Sequence, residues 1–392
     1  MHNDDLGFTT RLLHSDPHDR PYRAHAVPIM QSSSFAFEDS RQGARIFGGE
    51  EKGHIYTRIG NPTIESLEQV LANIEGAKRS VVFSSGMAAL TAAIMATCKA
   101  GDSIVASGTM YGPTVKLARE VAPRFGIAST IVRPDNPESF IDAITPTTKL
   151  ILFETPSNPR LDIIDTRKVA TAAKARGVLT AVDATFATPV FLRPLEHGAD
   201  MSIHSATKYL NGHADVIAGV VSCSDPELGK AVATFRSFTG ACSSPFDAYL
   251  FLRGLRTLSL RMEAHNRNAM KVAEFLEGHP ALARTWYPGL KSHSGHEVAK
   301  QTMSGFGGMV SFEMAGGYDA AVKLLDNLKL ITLVISLGAV DSIISHPASM
   351  THSGMPRELR LEQGITDGLV RLSVGVVDVE DIIADLEQAL DM

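Results

Sequence analysis

The run Ser205-Ala-Thr-Lys208-Tyr-Leu-Asn-Gly-His213 sets a lysine just after two hydroxyl residues, and Asp183 lies upstream of it. A lysine amine forms a Schiff base with an aldehyde, short hydroxyls hold a phosphate, and a carboxylate pairs with a protonated pyridine nitrogen. Pyridoxal phosphate carries all three of those groups, so this run is the first pointer to that cofactor. The neighbours His204, Tyr209 and Leu210 argue against full exposure of Lys208. Desolvation there would lower the amine pKa, as Schiff-base chemistry requires. Asp183 ends the apolar stretch Leu179-Thr-Ala-Val-Asp. A buried carboxylate in that place needs a partner, whether a pyridinium nitrogen, a helix cap or a structural ion pair.

Other stretches add candidates of the same kind. Ser84-Ser85-Gly86-Met87 stands between a strand pattern and an Ala-rich helix pattern. It offers hydroxyls and helix-start amides to a phosphate monoester, or serves as a plain helix cap. Tyr56-Thr-Arg58 precedes the first helix pattern; arginine is a natural bidentate phosphate partner, delivered to a neighbouring subunit or left on the surface. Tyr111, in Tyr-Gly-Pro-Thr, would stack on a flat ring or cap the core. Arg371 alternates with apolar residues in Leu369-Val-Arg-Leu-Ser and needs a carboxylate from protein or substrate. His204, His213 and His346 show no metal-ligand spacing, so no metal is expected.

These residues need a scaffold, and the 392-residue chain is long enough for two or more domains. The first 60 residues read as an irregular arm that orders against another subunit or stays disordered. Asn61-Pro62-Thr63 starts a helix that stops at Gly76. Strand patterns follow at 80–83, 103–106, 128–132, 150–154, 180–183, 201–204 and 218–222, alternating with helix patterns near 88–98, 114–122, 137–143 and 166–176. This alternation predicts an α/β fold with a mainly parallel sheet covered on both faces. Ligands of such sheets sit beyond the carboxyl ends of the strands, where Ser85, Glu154 to Asn158, Asp183 and Ser205 to Lys208 fall. A long helix around 248–279, then strands at 307–313, 331–334 and 369–373 with helices at 319–327 and 379–390, predict a smaller α/β domain. The expected division is an arm over 1–60, a cofactor domain over 61–255 and a C-terminal domain over 256–392.

A formal net charge of −6 and 44% hydrophobic residues argue against nucleic acid or membrane as a partner. No apolar run approaches a membrane span, and residues 1–20 show no signal-peptide pattern. Three scattered cysteines suit reduced thiols in a cytoplasm.

In order, the diagnostic stretches are Tyr56-Thr-Arg58-Ile-Gly-Asn-Pro-Thr63, Ser85-Gly-Met87, Glu154-Thr-Pro-Ser-Asn158-Pro, Asp183-Ala-Thr185, Ser205 to His213, Ser336-Leu-Gly338, His346-Pro-Ala-Ser-Met-Thr-His352 and Arg371-Leu-Ser-Val-Gly375. Together they resemble the cystathionine/methionine-metabolism family of pyridoxal-phosphate enzymes, of the aspartate aminotransferase fold type (fold type I). The resemblance implies that Lys208 anchors the cofactor and shuttles protons, and that Asp183 pairs with the pyridine nitrogen. Ser85, Gly86, Met87, Ser205 and Thr207 would hold the phosphate, with Tyr56 and Arg58 reaching in from the adjacent subunit. Tyr111 would stack on the ring and assist proton transfer, and Asn158 would bond the ring oxygen. Arg371, with the Ser336 segment, would clamp the substrate carboxylate. A shared site implies an obligate dimer, and the family usually forms a homotetramer of two such dimers.

Within the family, the stretch 239–258 looks most like methionine γ-lyases. Members that handle cystathionine tend to carry acids just before the Tyr-x-Arg and Ser-Leu-Gly motifs, where this chain has Ile55 and Ile335. Methionine γ-lyases typically carry a cysteine where this chain has Pro113, and Lys-Asp where it has Arg236-Ser237. The resemblance thus implies a γ-lyase for a methionine-like C–S or canavanine-like C–O substrate. The alternative is γ-replacement, as in O-acylhomoserine sulfhydrylation or cystathionine synthesis.

Overall fold

The computed structural model describes residues 6–15, 23–134 and 136–391. Seven strands make the larger sheet: β1 (Arg79–Phe83), β2 (Ser103–Ser107), β3 (Ala128–Val132), β4 (Thr148–Glu154), β5 (Leu179–Asp183), β6 (Met201–Ser205) and β7 (Gly219–Cys223). Their order is β1-β7-β6-β5-β4-β2-β3, with β7 antiparallel to both its neighbours and the other pairings parallel. Successive side chains of a strand face opposite sides, and here both sides are apolar. Ile104, Ala106, Leu150 and Leu152 pack with the Gly86–Thr97 helix, whereas Val105, Ile151 and Phe153 pack with the Thr166–Lys174 helix. Burial on both faces is why these strands read as continuous hydrophobic runs.

The predicted helix at 61–76 is present as Pro62–Glu75. The Asn61 side chain accepts from Thr63 N–H, proline occupies the first turn, and Gly76 closes the helix at φ 67°. Elsewhere the structure departs from expectation. The arm holds two helices, Phe8–His14 and Ser40–Phe47, the second capped by the Asp39 side chain on Gln42 N–H; residues 1–5 and 16–22 of the arm, and with them half of the segment read for a signal peptide, lie outside the described residues. The helix expected at 248–279 is two, Pro245–Leu255 and Leu258–Leu276. The break is held by Arg261, whose guanidinium donates to Gly254 O at 2.9 Å, the carbonyl that continuation of the first helix would have used. A further helix, Pro226–Thr239, was not anticipated, although Asp225 caps it and Gly240 ends it.

The second sheet contains β8 (Leu282–Trp286), β9 (Met309–Met314), β10 (Thr332–Leu333), β11 (Ile343–Ser345) and β12 (Leu369–Ser373), in the order β10-β11-β12-β9-β8. Its buried face packs against the Leu258–Leu276, Gly317–Asn327 and Val379–Leu390 helices. Among the described residues no helix is long and apolar enough to cross a membrane.

Candidate active site

At the carboxyl ends of β4, β5 and β6 lies a cavity of about 390 Å³, closed on its far side by Ile335, Leu337 and Arg371. Lys208, Asp183, Ser85, Gly86, Met87, Tyr111, Pro113, Asn158, Ser205 and Thr207 all line it. Residues more than a hundred positions apart in the chain are thus brought to one place.

The Gly86–Thr97 helix points its first turn at this cavity. The N–H groups of Gly86 and Met87 have no partner within the helix, as in any first turn, and Ser85 caps it by accepting from Ala88 N–H at 3.1 Å. Glycine is required at 86 by close approach: a Cβ there would lie 2.8 Å from Ser205 Cβ. Helix start and β6 end can meet only over a bare backbone, and an anion between them would see amides and hydroxyls together.

Asp183 ends β5 and is almost wholly buried. It accepts from Thr185 N–H at 3.0 Å and from the Thr185 hydroxyl at 2.5 Å. That hydroxyl in turn accepts from Ser205 N–H at 2.8 Å, which joins the ends of β5 and β6. Burial raises the Asp183 carboxyl, while the Thr185 bonds and the nearby His204 work against that rise. His204 is fully buried and bonded to the Glu75 carboxylate and to Ser202. Thr207 exchanges hydrogen bonds with the main chain of Ala218.

The Lys208 amine donates to the Ser336 hydroxyl at 3.0 Å. Burial first, and the charge of Arg371 second, push it down to about 8. A fraction of the amine is therefore uncharged near neutrality and able to attack a carbonyl. The turn that carries it is fixed by Arg261, which donates to Tyr209 O at 2.7 Å and Leu210 O at 3.3 Å. Arg371 projects from β12, donating to Asn158 Oδ1 at 2.9 Å and to Ser336 O at 3.1 Å. It is buried without a carboxylate in hydrogen-bond range among the described residues, which leaves its charge open to an incoming carboxylate. Tyr111 is partly exposed, and its N–H donates to Glu154 Oε2 at 2.9 Å.

Four of the expected site residues lie elsewhere. Tyr56 is exposed, and the Arg58 guanidinium rests over its ring and donates to Ser237 O at 2.6 Å, outside the cavity of their own chain. Ile55 also lies outside it, its carbonyl taken by Phe35 N–H. Arg236 is a correction: it is buried on the Pro226–Thr239 helix, bound to the Glu68 carboxylate and to Val82 O at 2.9 Å. Its charge is already neutralised, so it is a structural ion pair and no substrate contact. Conversely, Phe186 and Ile217 line the cavity unannounced, and Thr351 lines it from within the His346–His352 stretch. Glu154 and Thr185 were present in the diagnostic stretches without an assigned part.

Donor chemistry fits pyridoxal phosphate. An amine of lowered pKa, a bonded carboxylate, and a helix start pressed over a glycine are what its aldehyde, ring nitrogen and phosphate need. Comparison with known proteins agrees. The family described as Cys/Met metabolism PLP-dependent enzyme matches residues 9–391. The chain is 47% identical to an L-methionine gamma-lyase of Porphyromonas gingivalis, over 100% of this chain and 99% of that one. It is 46% identical to a cystathionine gamma-lyase of Bacillus subtilis, over 95% and 96%. Its fold matches a cystathionine gamma synthase of Xanthomonas oryzae, solved with aminoacrylate and cysteine, at a TM-score of 0.94 and 41% identity, covering 98% of both chains. Fold, donor set and full-length likeness converge: the chain belongs to the pyridoxal-phosphate-dependent enzymes of cysteine and methionine metabolism.

Proposed function

We propose that this enzyme is a γ-lyase that eliminates the γ-substituent of an L-amino acid, methionine-like (C–S) or canavanine-like (C–O), with a small uncharged group such as methylthio suiting the cavity best. The observation that carries the reading is the wall of the cavity built by Ile335, Ile217, Leu337 and Pro113. The carboxyls that line the cavity, Asp183 and Glu154, end two adjacent strands of the large sheet, and the four apolar residues bring no charge to it. A distal ammonium there would be desolvated without an anion, which is costly; a methylthio group would not.

The bound cofactor supplies an electron sink for the charge left at Cα and Cβ when protons depart. The chain does the rest. Arg371 holds the substrate carboxylate and Asn158 holds Arg371. Lys208 would hold the cofactor aldehyde and, as a free amine of lowered pKa, would carry protons from Cα and Cβ of the substrate. Tyr111, which lines the cavity, would stack on the cofactor ring and donate a proton to the departing γ-group. With methionine, the C–S bond breaks, water enters, and the products are methanethiol, ammonia and 2-oxobutanoate. Ser85, Gly86, Met87, Ser205 and Thr207 hold the phosphate, with Tyr56 and Arg58 of a second subunit. On this reading the 1–60 arm serves a neighbour, 61–255 binds cofactor, 256–392 closes the substrate side, and the assembly is a cytoplasmic homotetramer of two site-sharing dimers.

Likeness to a cystathionine gamma synthase supports γ-replacement as the second reading. Purified holoenzyme is to be given methionine or canavanine alone, and O-acetylhomoserine with sulfide. Release of 2-oxobutanoate or homoserine from the first pair is expected. Turnover only when acyl-homoserine and a thiol are both present would replace elimination by γ-replacement.

A further inference from the structure

Glu154 is a buried carboxyl in the site for which the γ-elimination scheme has no use. It is paired in register with Asp183 across β4 and β5. Residues so paired in a parallel sheet point to the same face from strands about 4.8 Å apart, and these two are 4% and 8% exposed. Two carboxylates in such a space do not both ionise. Asp183 receives two hydrogen bonds from Thr185, while Glu154 receives one, from the main chain of Tyr111. The charge therefore settles on Asp183 and the proton on Glu154.

We propose that Glu154 is a positioning residue that works as a neutral acid, its carboxyl fixing the Tyr111 main chain, and so the phenol, while Asp183 alone carries the negative charge. Three groups act on it. Asp183 of β5 opposes its ionisation, and the Tyr111 N–H and Arg371 of β12 favour it. Burial and the Asp183 charge prevail and hold the carboxyl well above the usual range. An ionised Glu154 would also compete with the substrate carboxylate for Arg371 and with Asp183 for a ring cation. A neutral acid keeps the hydrogen bond without either competition. The inference rests on the reading that Asp183 meets the ring nitrogen and Tyr111 covers the ring.

The test uses the holoenzyme in two variants and one spectroscopic signature. Glu154→Gln keeps a carbonyl oxygen for the Tyr111 N–H and should leave kcat within about threefold, whereas Glu154→Ala releases the loop and should lower kcat at least about tenfold with KM little changed. The infrared difference between wild type and Glu154→Gln at neutral pH should contain the C=O stretch of a protonated carboxyl. Carboxylate bands in its place, or a Gln variant as impaired as the Ala variant, would overturn the proposal. If the Ala variant does not fold, the infrared band and the Gln variant decide. Asp183→Asn, run beside them, should lose cofactor on dialysis. Retention of cofactor and turnover there would sink the ring-nitrogen assignment, while the infrared band still reports on Glu154.

Discussion

Lys208 concentrates the chemistry of the site in one amine, and its environment makes a quantitative demand. Its pKa, about 8, lies below the ordinary 10.5, so below pH 8 the folded, cofactor-free chain holds a proton that the unfolded chain binds more tightly. That costs roughly 2–3 kcal/mol. The cost shrinks as pH rises from about 8 and is gone above about 10.5. Lys208→Met should therefore stabilise the cofactor-free chain at pH 7 by up to that amount and lose its advantage near pH 11, as measured by urea unfolding. In the holoenzyme, Lys208→Ala should remove the visible-edge absorbance and at least about a thousandfold of the activity; normal turnover would refute the assignment. Individual residues of this kind were legible because cofactor chemistry restricts residue types: a lysine after hydroxyls, a carboxylate ending an apolar strand. Arg236 misled because local sequence does not reveal Glu68, which lies on another helix and takes its charge. Ile217 was invisible, since it comes from an irregular loop without a period to read, and Thr351 stood in a diagnostic stretch without an assigned part.

Elements place these residues, and the tightest placement is the Gly86–Thr97 helix against the end of β6. A methyl added at Gly86 must push one of them away, because Ser205 Cβ is 2.8 Å from where it would lie. Gly86→Ala should weaken cofactor binding about tenfold, a loss of order 1–2 kcal/mol, measured by titrating the cofactor-free protein. Unchanged affinity would mean that the helix start is not part of the phosphate site. Strands β1, β2, β4, β5 and β6 were readable to within a residue or two because both faces are largely buried and the runs are unbroken, and the partly exposed edge strand β3 was readable from its β-branched run. β8 was not, because its side chains alternate irregularly between exposed and buried, and β11 is only three residues long. The single helix expected at 248–279 failed for a tertiary reason, the Arg261 bond to Gly254 O.

For the whole molecule, strand order was beyond reach of the sequence pattern, since β1 pairs with β7 (Arg79 opposite Cys223) far along the chain, a pairing that leaves no local trace. Its outer surface carries another message. Arg58 reaches Ser237, next to Phe238, which is 85% exposed, and Ile59 and Phe246 are also exposed. Apolar side chains in this number near a cation suit burial by a second copy. If Tyr56 and Arg58 serve the neighbour's site, two inactive proteins should complement each other. Arg58→Ala and Lys208→Ala, unfolded together and reassembled in equal amounts, should recover about a quarter of the wild-type activity, because half of the dimers are mixed and each has one intact site. No recovery would place Arg58 in its own subunit's service. Arg261 has a wider meaning. Its described partners are three main-chain carbonyls and one hydroxyl, the coordination shell that an alkali-metal ion would choose. The guanidinium acts as a tethered counter-ion: the oxygen dipoles next to Lys208 are satisfied by a charge that cannot dissociate, whichever salt surrounds the protein.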